Sequence, residues 1–526
     1  MSFQSILFNE PSDRINANNA DTPPFFVDLN LDQIVDAITA KWAEYDLKNF
    51  FYFPLSNIDA IHYRHEVFKE LENLPLYESL KLFSEEMSEV RNYIKLVEKL
   101  YYQNQKNIWI LYAAEHYCSL VRKIANYLSS VSLKSCGFID FSEYLKNYTA
   151  DKQFISLENE INDLKIELSK VRYRIIIQDN SFTVQNHEPG IDYSAEIETT
   201  FEKFKQGAVK NYKVAYKSSS DDMNHIEAQI LDFVAKLNSA LFLKLDNFYV
   251  RYAKLPTGQA GFINEIIAIF DREIHFYIAY VEHIKNIKDN GIRLTEDKLQ
   301  FCYPKISDTS KEVYNFEGFD LALAQKLSEN KGQIVCNDFY LKDKERIIVV
   351  TGPNQGGKTT FARTFGQLHY LSSIGCAVPG REAQLFFFDQ IFTQFERAEK
   401  VENLRGKLED DLVRVHYILD HATSRTVIIM NEIFNSTTLQ DVSYLSTKIM
   451  EEILKHDLLC VWVTFIDELA AFSEQTISMT STIVPGNPAL RTFKVIRRPA
   501  DGLAFALAIA EKYQLTYRHI KERIKS

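Results

Sequence analysis

No two of the six cysteines (Cys118, Cys136, Cys302, Cys336, Cys376, Cys460) form a C-x-x-C pair, which argues against a zinc site and a disulfide framework. Reduced, mostly buried thiols are the expectation. Long apolar runs are missing too: none approaches the roughly 20 residues of a membrane span, so no membrane contact is expected. The opening MSFQSILFNEPSDR lacks a basic stretch followed by a long apolar one, so no secretion signal is read and a cytoplasmic location is expected. Basic charge is in deficit, with 60 Lys and Arg against 71 Asp and Glu and a formal net charge of −11. Such a chain does not bind polyanions over its whole surface, and any nucleic-acid contact has to come from a local basic patch. Glycine and proline are sparse through the first half, and no internal repeat or low-complexity tract stands out.

What is present is enough apolar material for sizeable cores, 46% hydrophobic and 13% aromatic over 526 residues, a length that predicts two or more domains. After a polar, proline-containing start, Leu31, Ile34, Val35, Ile38 and Trp42 recur at helical spacing behind Asn30 as an N-cap. Helical patterning returns from about Glu89 to Leu128. Leu157, Ile161, Leu164, Leu168 and Val171 then step by four and three, as do Ile226, Ile230, Phe233, Leu237 and Leu241, the spacing of coiled-coil seams. Between them YRIIIQDNSFTVQ (Tyr173 to Gln185) reads as a hairpin around Asp179-Asn180. The pattern suggests an antiparallel helical arm with a small tip; two ordinary bundle helices joined by a loop are the alternative. From about Phe301 short β-prone runs (IIVVTG, LFFFDQIFTQF, TVIIMNE, LLCVWVTF) alternate with helical stretches, as in a parallel sheet flanked by helices.

The first of these runs leads into TGPNQGGKTT. Gly352, Gly357, Lys358 and Thr359 satisfy G-x-x-x-x-G-K-[ST], in which backbone N–H groups wrap phosphates, the lysine reaches the β/γ oxygens and the hydroxyl ligates Mg²⁺. Gly352, Pro353, Asn354, Gln355, Gly356, Gly357, Lys358, Thr359 and Thr360 are therefore the candidate nucleotide-binding residues, with ATP and Mg²⁺ as cofactors. The second signal is VIIMNEIFNSTTLQD. An apolar strand ending in two acids usually places one carboxylate by the Mg²⁺ shell and the next beside the attacking water. Here the two positions are Asn431 and Glu432. Asn431 accepts a hydrogen bond from a metal-bound water without supplying charge, so metal affinity should fall; with Thr359 it makes the candidate metal pair. Glu432 retains the ability to orient water and, with Lys358, is the candidate catalytic residue. A salt-bridged residue at a strand end is the plain alternative for Glu432.

TGPNQGGKTT, NEIFNSTTLQD, the strand end VWVTFIDELA and the closing ADGLAFALAIAEKYQLT together resemble the MutS family of DNA mismatch-repair ATPases, which share the ABC-type nucleotide fold. FPLSNIDAIHYRHEVFKEL (Phe53 to Leu71) is similar to the opening of that family's helical core, and the paired seams to its lever helices. The resemblance implies a multidomain fold: an all-α helical core and lever with an antiparallel helical arm, followed by an α/β ABC-type P-loop ATPase domain. The corresponding segments are 1–28 (polar N-terminal segment), 29–150 (helical core), 151–250 (arm with a clamp-like tip), 251–300 (return helices of the core) and 301–526 (ATPase domain).

The departures from the family pattern are specific. The residues ahead of Phe53 leave no room for the mismatch-reading domain, and no nuclease tail follows. ENLRGKLEDDL (Glu402 to Leu412) has no Ser or Thr where the family's signature loop reaches the partner's γ-phosphate, leaving Arg405 or Lys407 for that role. Phe465 stands after Thr464 where a histidine sensor is expected. Lys203, Lys205, Lys210, Lys213 and Lys217, with Tyr212 and Tyr216 interleaved, form a basic run where the family's clamp would grip duplex DNA; a solvated face is the alternative. The expectation is a MutS-like ATP- and DNA-binding protein that hydrolyses ATP to ADP and phosphate slowly. It would be a homodimer through its ATPase domains, gated by nucleotide and acting on DNA structure rather than mismatches. The alternative is a nucleotide-gated scaffold with little or no hydrolysis whose arm binds a protein partner.

Overall fold

The structure, a computed structural model, describes residues 3–179, 181–187, 223–253, 260–289, 299–330, 332–396, 406–484, 487–500 and 514–525. The chain divides into two compact units, one of residues 1–3, 73–133 and 138–271, the other of 4–72, 134–137 and 272–526. The segment 29–150 expected as one helical core is thus shared between them. Among the described residues no helix is long and apolar enough to cross a membrane. All six cysteines are free; Cys118, Cys376 and Cys460 are buried and Cys136 is exposed.

In the first unit, helices Leu74–Lys99 and Gln103–Ser130 pack together, and Phe141 stacks on Phe270 with ring centroids 3.6 Å apart. Asp151 caps helix Lys152–Lys170 by accepting from the Gln153 N–H, and Asn224 with Glu227 forms a capping box on helix His225–Leu237. The first seam is the buried face of its helix at Leu157, Ile161 and Leu164, joined by Phe154. The second seam is not. Ile226, Phe233 and Leu237 are exposed, and the helix buries Ala228, Val234 and Ala235 instead. It also breaks at Asn238, so Leu241 belongs to a separate helix, Ser239–Tyr252. Helix Lys152–Lys170 packs against that later helix and against Gln103–Ser130. Glu167 pairs with Lys244 and Glu160 with Arg251, an order that makes the two helices antiparallel. The seams therefore do not face each other as one coiled coil: Ala228, Val234 and Ala235, not Ile226, Phe233 and Leu237, are the buried stripe of the second helix.

The expected hairpin is present: β1 (Tyr173–Gln178) pairs antiparallel with β2 (Ser181–Asn186), with Gln178 opposite Ser181 and Asp179 at φ 52°. The five lysines of the basic run, Lys203 to Lys217, lie outside the described residues.

The second unit begins with material that its polar composition conceals. Helix Pro11–Asn18 starts at a proline, which suits a first helical position, and Ile6, Leu7, Phe8 and Phe26 are buried. Helix Leu31–Thr39 buries Leu31, Ile34, Val35 and Ile38 as the spacing predicts. It ends before Trp42, which has non-helical backbone within the 3-10 helix Ala40–Tyr45, and Asn30 sits at the N-cap with φ 56° but its side chain accepts no capping hydrogen bond.

The strands of this unit are β3 (Phe301–Cys302), β4 (Lys305–Ser307), β5 (Val313–Gly318), β6 (Asn337–Leu341), β7 (Ile347–Thr351), β8 (Val378–Pro379), β9 (Glu382–Phe386), β10 (Ile391–Phe395), β11 (Val427–Asn431), β12 (Leu459–Val463), β13 (Thr476–Val484) and β14 (Asn487–Arg497). The main sheet has the order β10-β11-β12-β7-β13-β14, parallel except for the antiparallel edge β14. β4, β9, β5 and β6 form a second sheet. The run LFFFDQIFTQF is accordingly two strands in two sheets, with a turn at Phe387–Gln390.

Because side chains alternate along a strand, the main sheet has two apolar faces. Ile347, Val349, Ile428, Met430, Cys460 and Trp462 pack with Val415, Ile418, Ile449 and Ile453 from helices Lys407–His421 and Leu439–Lys455. The other face carries helix Lys358–Ser373, where the Gly366 position faces Ile429 and Leu29. That helix is buried at Lys358, Phe361, Ala362 and every residue from Thr364 to Ser373. Its outer side is bonded to the N-terminal segment in sequence. Arg363 donates to the Asp28 carbonyl (2.9 Å), Gln367 to Leu29 (2.8 Å) and Tyr370 to Phe51 (2.8 Å). Leu55 N–H meets the Ser373 carbonyl (2.9 Å), and Arg64 donates to Ile374 (2.7 Å).

Candidate nucleotide site

β7 is five apolar-to-small residues, every one buried, and it ends in the glycine-rich turn. Gly352 (φ 113°) and Gly357 (φ 91°) take backbone conformations that side chains rarely adopt. Space explains the glycines further: a Cβ at 352 would stand 2.6 Å from Ser481 Oγ and 2.9 Å from its carbonyl oxygen, and one at 356 would stand 2.5 Å from the same hydroxyl. The turn is thus pressed against β13. Gly357 is the N-cap of helix Lys358–Ser373, so the unpaired N–H groups and the positive end of the helix dipole lie where the turn closes.

Lys358 is 5% exposed, and its Nζ curls over the turn, donating to the carbonyls of Gly352 (3.0 Å) and Pro353 (3.3 Å) and to Asn354 Oδ1 (3.3 Å). Glu432 Oε1 lies 3.5 Å from the same nitrogen. Burial lowers the Lys358 pKa from its ordinary value, Glu432 opposes that shift, and Arg491 adds to it.

Thr359 Oγ1 donates to Asn431 Oδ1 at 2.8 Å, which brings together the two residues selected as the candidate metal pair. Asn431 ends β11, is nearly buried and is followed by a turn with two non-glycine residues in left-handed backbone, Glu432 (φ 49°) and Phe434 (φ 64°). Each such residue costs about 1–3 kcal/mol and persists only where its surroundings hold it. The Glu432 N–H is held by the Val463 carbonyl at 2.9 Å. Lys358, Thr359, Asn431 and Glu432, from two motifs far apart in sequence, therefore form one contiguous group, and Pro353 and Asn354 join it through the lysine. Thr360 lies in the first turn of the helix, its carbonyl accepting from the Thr364 hydroxyl. Among the described residues no group of three or more His, Cys, Asp or Glu is placed to hold a metal ion.

Of the two residues considered for the signature role, Arg405 lies outside the described residues, and Lys407 pairs with Glu396. Phe465 is 50% exposed beyond Thr464, whose N–H donates to the Val350 carbonyl. Two site residues carry no motif signal. Ser481 walls the turn from β13, and Arg491 on β14 donates to the Asn354 carbonyl at 3.1 Å. None of these contacts follows from spacing, because each joins strands or helices distant in the chain.

The family model described as MutS domain V matches residues 348–519. The DNA mismatch repair protein MutS of Halalkalibacterium halodurans is 30% identical over 186 residues, 34% of this chain and 21% of that protein. MutS of Thermotoga maritima is 23% identical over 300 residues, 52% of this chain and 38% of that protein. The chain thus spans less than two fifths of the length of either of these curated relatives. The matched region begins inside β7 and takes in the glycine-rich turn, Asn431, Glu432 and Thr464, so this part of the chain is similar to MutS domain V.

Proposed function

We propose that this protein binds ATP with Mg²⁺ through its MutS domain V, hydrolyses it slowly to ADP and phosphate, and works as a nucleotide-gated homodimer on DNA structure rather than on mismatches. The observation that carries the reading is the convergence of Lys358, Thr359, Asn431 and Glu432 at the end of one helix. The group fits a phosphate chain chemically. Lys358 already lies among the carbonyls of the turn, where a buried ammonium suits β/γ oxygens, and the helix N-terminus adds backbone donors. Thr359 and Asn431 would hold Mg²⁺, Asn431 through a coordinated water. When bound, the metal would neutralise charge on the phosphate oxygens. Glu432, set beside Lys358 by its strained turn, would orient the attacking water. In an ABC-type arrangement the partner's segment near Arg405 and Lys407 would complete the site, so ATP would tighten the dimer. The basic run Lys203, Lys205, Lys210, Lys213 and Lys217 would contact DNA phosphates independently of sequence.

A second reading is favoured by two observations: the residue paired with Thr359 is an amide instead of a carboxylate, and an exposed phenylalanine, Phe465, follows Thr464. On that reading the protein is a nucleotide-gated scaffold with little or no hydrolysis whose helical arm engages a protein partner. ATP turnover measured with and without branched and linear DNA separates the two. Stimulation by DNA supports the first reading; tight ATP binding with neither turnover nor a DNA effect supports the second. Lys358→Ala that binds ATP as the parent does, by calorimetry, overturns both.

A further inference from the structure

The glycine-rich turn has a crown of two exposed residues, Asn354 and Gln355, and Gln355 has left-handed backbone at φ 61° without being a glycine. Such a conformation costs about 1–3 kcal/mol and persists where its surroundings hold it. Three anchors hold this one. The Gly356 N–H closes the crown on the Pro353 carbonyl at 3.2 Å. Lys358 Nζ reaches Asn354 Oδ1 at 3.3 Å. From outside the turn comes Arg491, whose Nε donates to the Asn354 carbonyl at 3.1 Å. Asn354 is thus held through its side chain by the helix that follows and through its backbone by β14.

β14 is shaped to deliver that arginine. Ser481 of β13 pairs with Val495 and Ile483 pairs with Arg491, so the single residue Thr482 faces the three from Thr492 to Lys494. This is a bulge, the device by which a strand re-aims a side chain. In regular pairing Phe493 would stand opposite Ile483; the bulge puts Arg491 there instead. Phe493 absorbs the slip with left-handed backbone at φ 57°. Asn337 of β6 donates to the Phe493 carbonyl (3.2 Å) and accepts from the Val495 N–H (2.7 Å), and the Thr492 hydroxyl donates to the Thr482 carbonyl (3.0 Å), so the slip is fixed on both flanks. The same bulge lays Phe493 against the end of the turn, where a Cβ on Gly357 would stand 3.5 Å from the Phe493 carbonyl oxygen. β14 therefore meets the turn at its crown and at its exit. The guanidinium also stands near enough to Lys358 to disfavour the charge on it, and an anion received between two such cations relieves that repulsion.

We propose that Arg491 is a positioning residue for the nucleotide site: by donating to the Asn354 carbonyl across the bulge in β14, it fixes the strained crown of the glycine-rich turn in the conformation that receives phosphate. The inference rests on the reading of this turn as the phosphate site given above. A crown of this kind holds bound ATP and its transition state alike, so the effect of Arg491 falls on affinity and leaves turnover at saturation nearly untouched.

The test compares Arg491→Met with Arg491→Gln. Both remove the charge and keep the side chain as long as the ε position, but only glutamine has a donor there. Lys494→Ala is the control, a cation of the same strand that bonds the Cys336 carbonyl instead of the turn. The first readout is hydrogen–deuterium exchange of the peptide covering 352–357 in the nucleotide-free protein, which requires no activity. Exchange should rise about tenfold or more in Arg491→Met, as for the loss of a hydrogen bond from a charged donor, by no more than about threefold in Arg491→Gln, and not at all in Lys494→Ala. The second readout is ATP affinity by calorimetry beside kcat at saturating ATP: Kd about tenfold weaker in Arg491→Met with kcat within about threefold of the parent, and most of the affinity restored in Arg491→Gln. Unchanged exchange or unchanged affinity in Arg491→Met overturns the proposal. So does an equal loss in the methionine and glutamine variants, which would assign the effect to charge. Should Arg491→Met fail to fold, by circular dichroism, Arg491→Gln decides alone, and a tenfold rise in its exchange overturns the proposal. Failure of the underlying reading looks different: Lys358→Ala would bind ATP as the parent does while the exchange difference between the two Arg491 variants stood.

Discussion

Alanine at Gly352 and alanine at Gly356 should both damage the phosphate turn, but for reasons that one second-site change can tell apart. At 356 the clash is with a side chain and one carbonyl: the added Cβ meets Ser481 Oγ at 2.5 Å, Pro353 O at 2.8 Å and Ser481 Cβ at 3.0 Å. Overpacking of this kind costs about 1–3 kcal/mol. At 352 the neighbours include Ser481 O at 2.9 Å and Ser481 N at 3.1 Å, and φ is +113°. Left-handed strain adds about 1–3 kcal/mol there, so Gly352→Ala should cost about 3 kcal/mol or more. Ser481 cannot step back, because β13 is paired with β7 through Met479 opposite Val350 and Thr480 opposite Thr351. Ser481→Gly then removes two of the three close contacts at 356 but only one of the three at 352, where the Ser481 carbonyl and N–H contacts stay. Thermal unfolding of the six proteins in this pair of double-mutant cycles should show Gly356→Ala recovering about half its loss when Ser481→Gly is added, and Gly352→Ala recovering a clearly smaller share, because its backbone clashes and left-handed strain remain. ATP affinity should follow the same order. Gly406→Ala, with nothing within 4 Å of the new Cβ, is the internal control and should change stability by less than about 1 kcal/mol. Equal rescue at both positions, or a Gly352→Ala protein as stable as the parent, would refute the account of the turn as packed against β13.

Other consequences are more local. Glu432→Gln should keep ATP binding and lower turnover about a hundredfold, since water orientation is lost while the lysine and the turn remain; unaltered turnover would move the catalytic role elsewhere. Glu273 is buried, accepts from Ser5 Oγ (2.6 Å) and Ile6 N–H (3.0 Å), lies 3.3 Å from Arg14 Nε, and has its pKa pushed up to about 7 by burial. A carboxyl raised in the folded state binds its proton more tightly there than when unfolded, so its contribution is complete below the unfolded value near 4.5 and is lost as pH rises toward 7. Glu273→Gln should flatten that part of the stability–pH curve, and a slope identical to the parent's would show that another group titrates. Arg64→Ala strands the Leu7 and Ile374 carbonyls and removes stacking on Phe8 and Phe276, and should cost about 3 kcal/mol or more in urea unfolding; a loss below about 1 kcal/mol would mean those carbonyls find other donors.

How much of this was legible in the sequence depended on whether the determining contact was local. Ile347–Thr351, the turn and helix Lys358–Ser373 were readable because a strand, a glycine-rich turn and a helix written consecutively need no information from elsewhere. Val427–Asn431 was readable for the same reason, as was the hairpin around Asp179. The second helical seam was misread because Ile226, Phe233 and Leu237 match a heptad as well as Ala228, Val234 and Ala235 match the packed stripe; which face turns inward is decided by the neighbours. The stretch from Leu385 to Phe395 reads only as one β-prone run because β-propensity does not record which sheet a residue joins. Ser481 and Arg491 were invisible for the same reason: a serine in a strand and an arginine in a basic stretch have nothing distinctive in their spacing.

The N-terminal segment gives the strongest case of composition concealing role. Residues 28–64 supply partners to helix Lys358–Ser373 at Arg363, Gln367, Tyr370 and Ser373, and then at Ile374, turn after turn along one side. Most of those partners are backbone carbonyls, so the side chains of the segment were free to be polar and its importance left little trace in the sequence. The helix they hold begins at Lys358 and ends beside Arg64, which is itself fully buried and bonded to Leu7. In an interior packed this closely, a buried helix moves as a body or hardly at all. One buried helix thus spans from Lys358 to the Ile374 carbonyl, where Arg64 ties it to helix Ile58–Glu70. The N-terminal segment therefore belongs to the same compact unit as the glycine-rich turn and braces the helix that follows it.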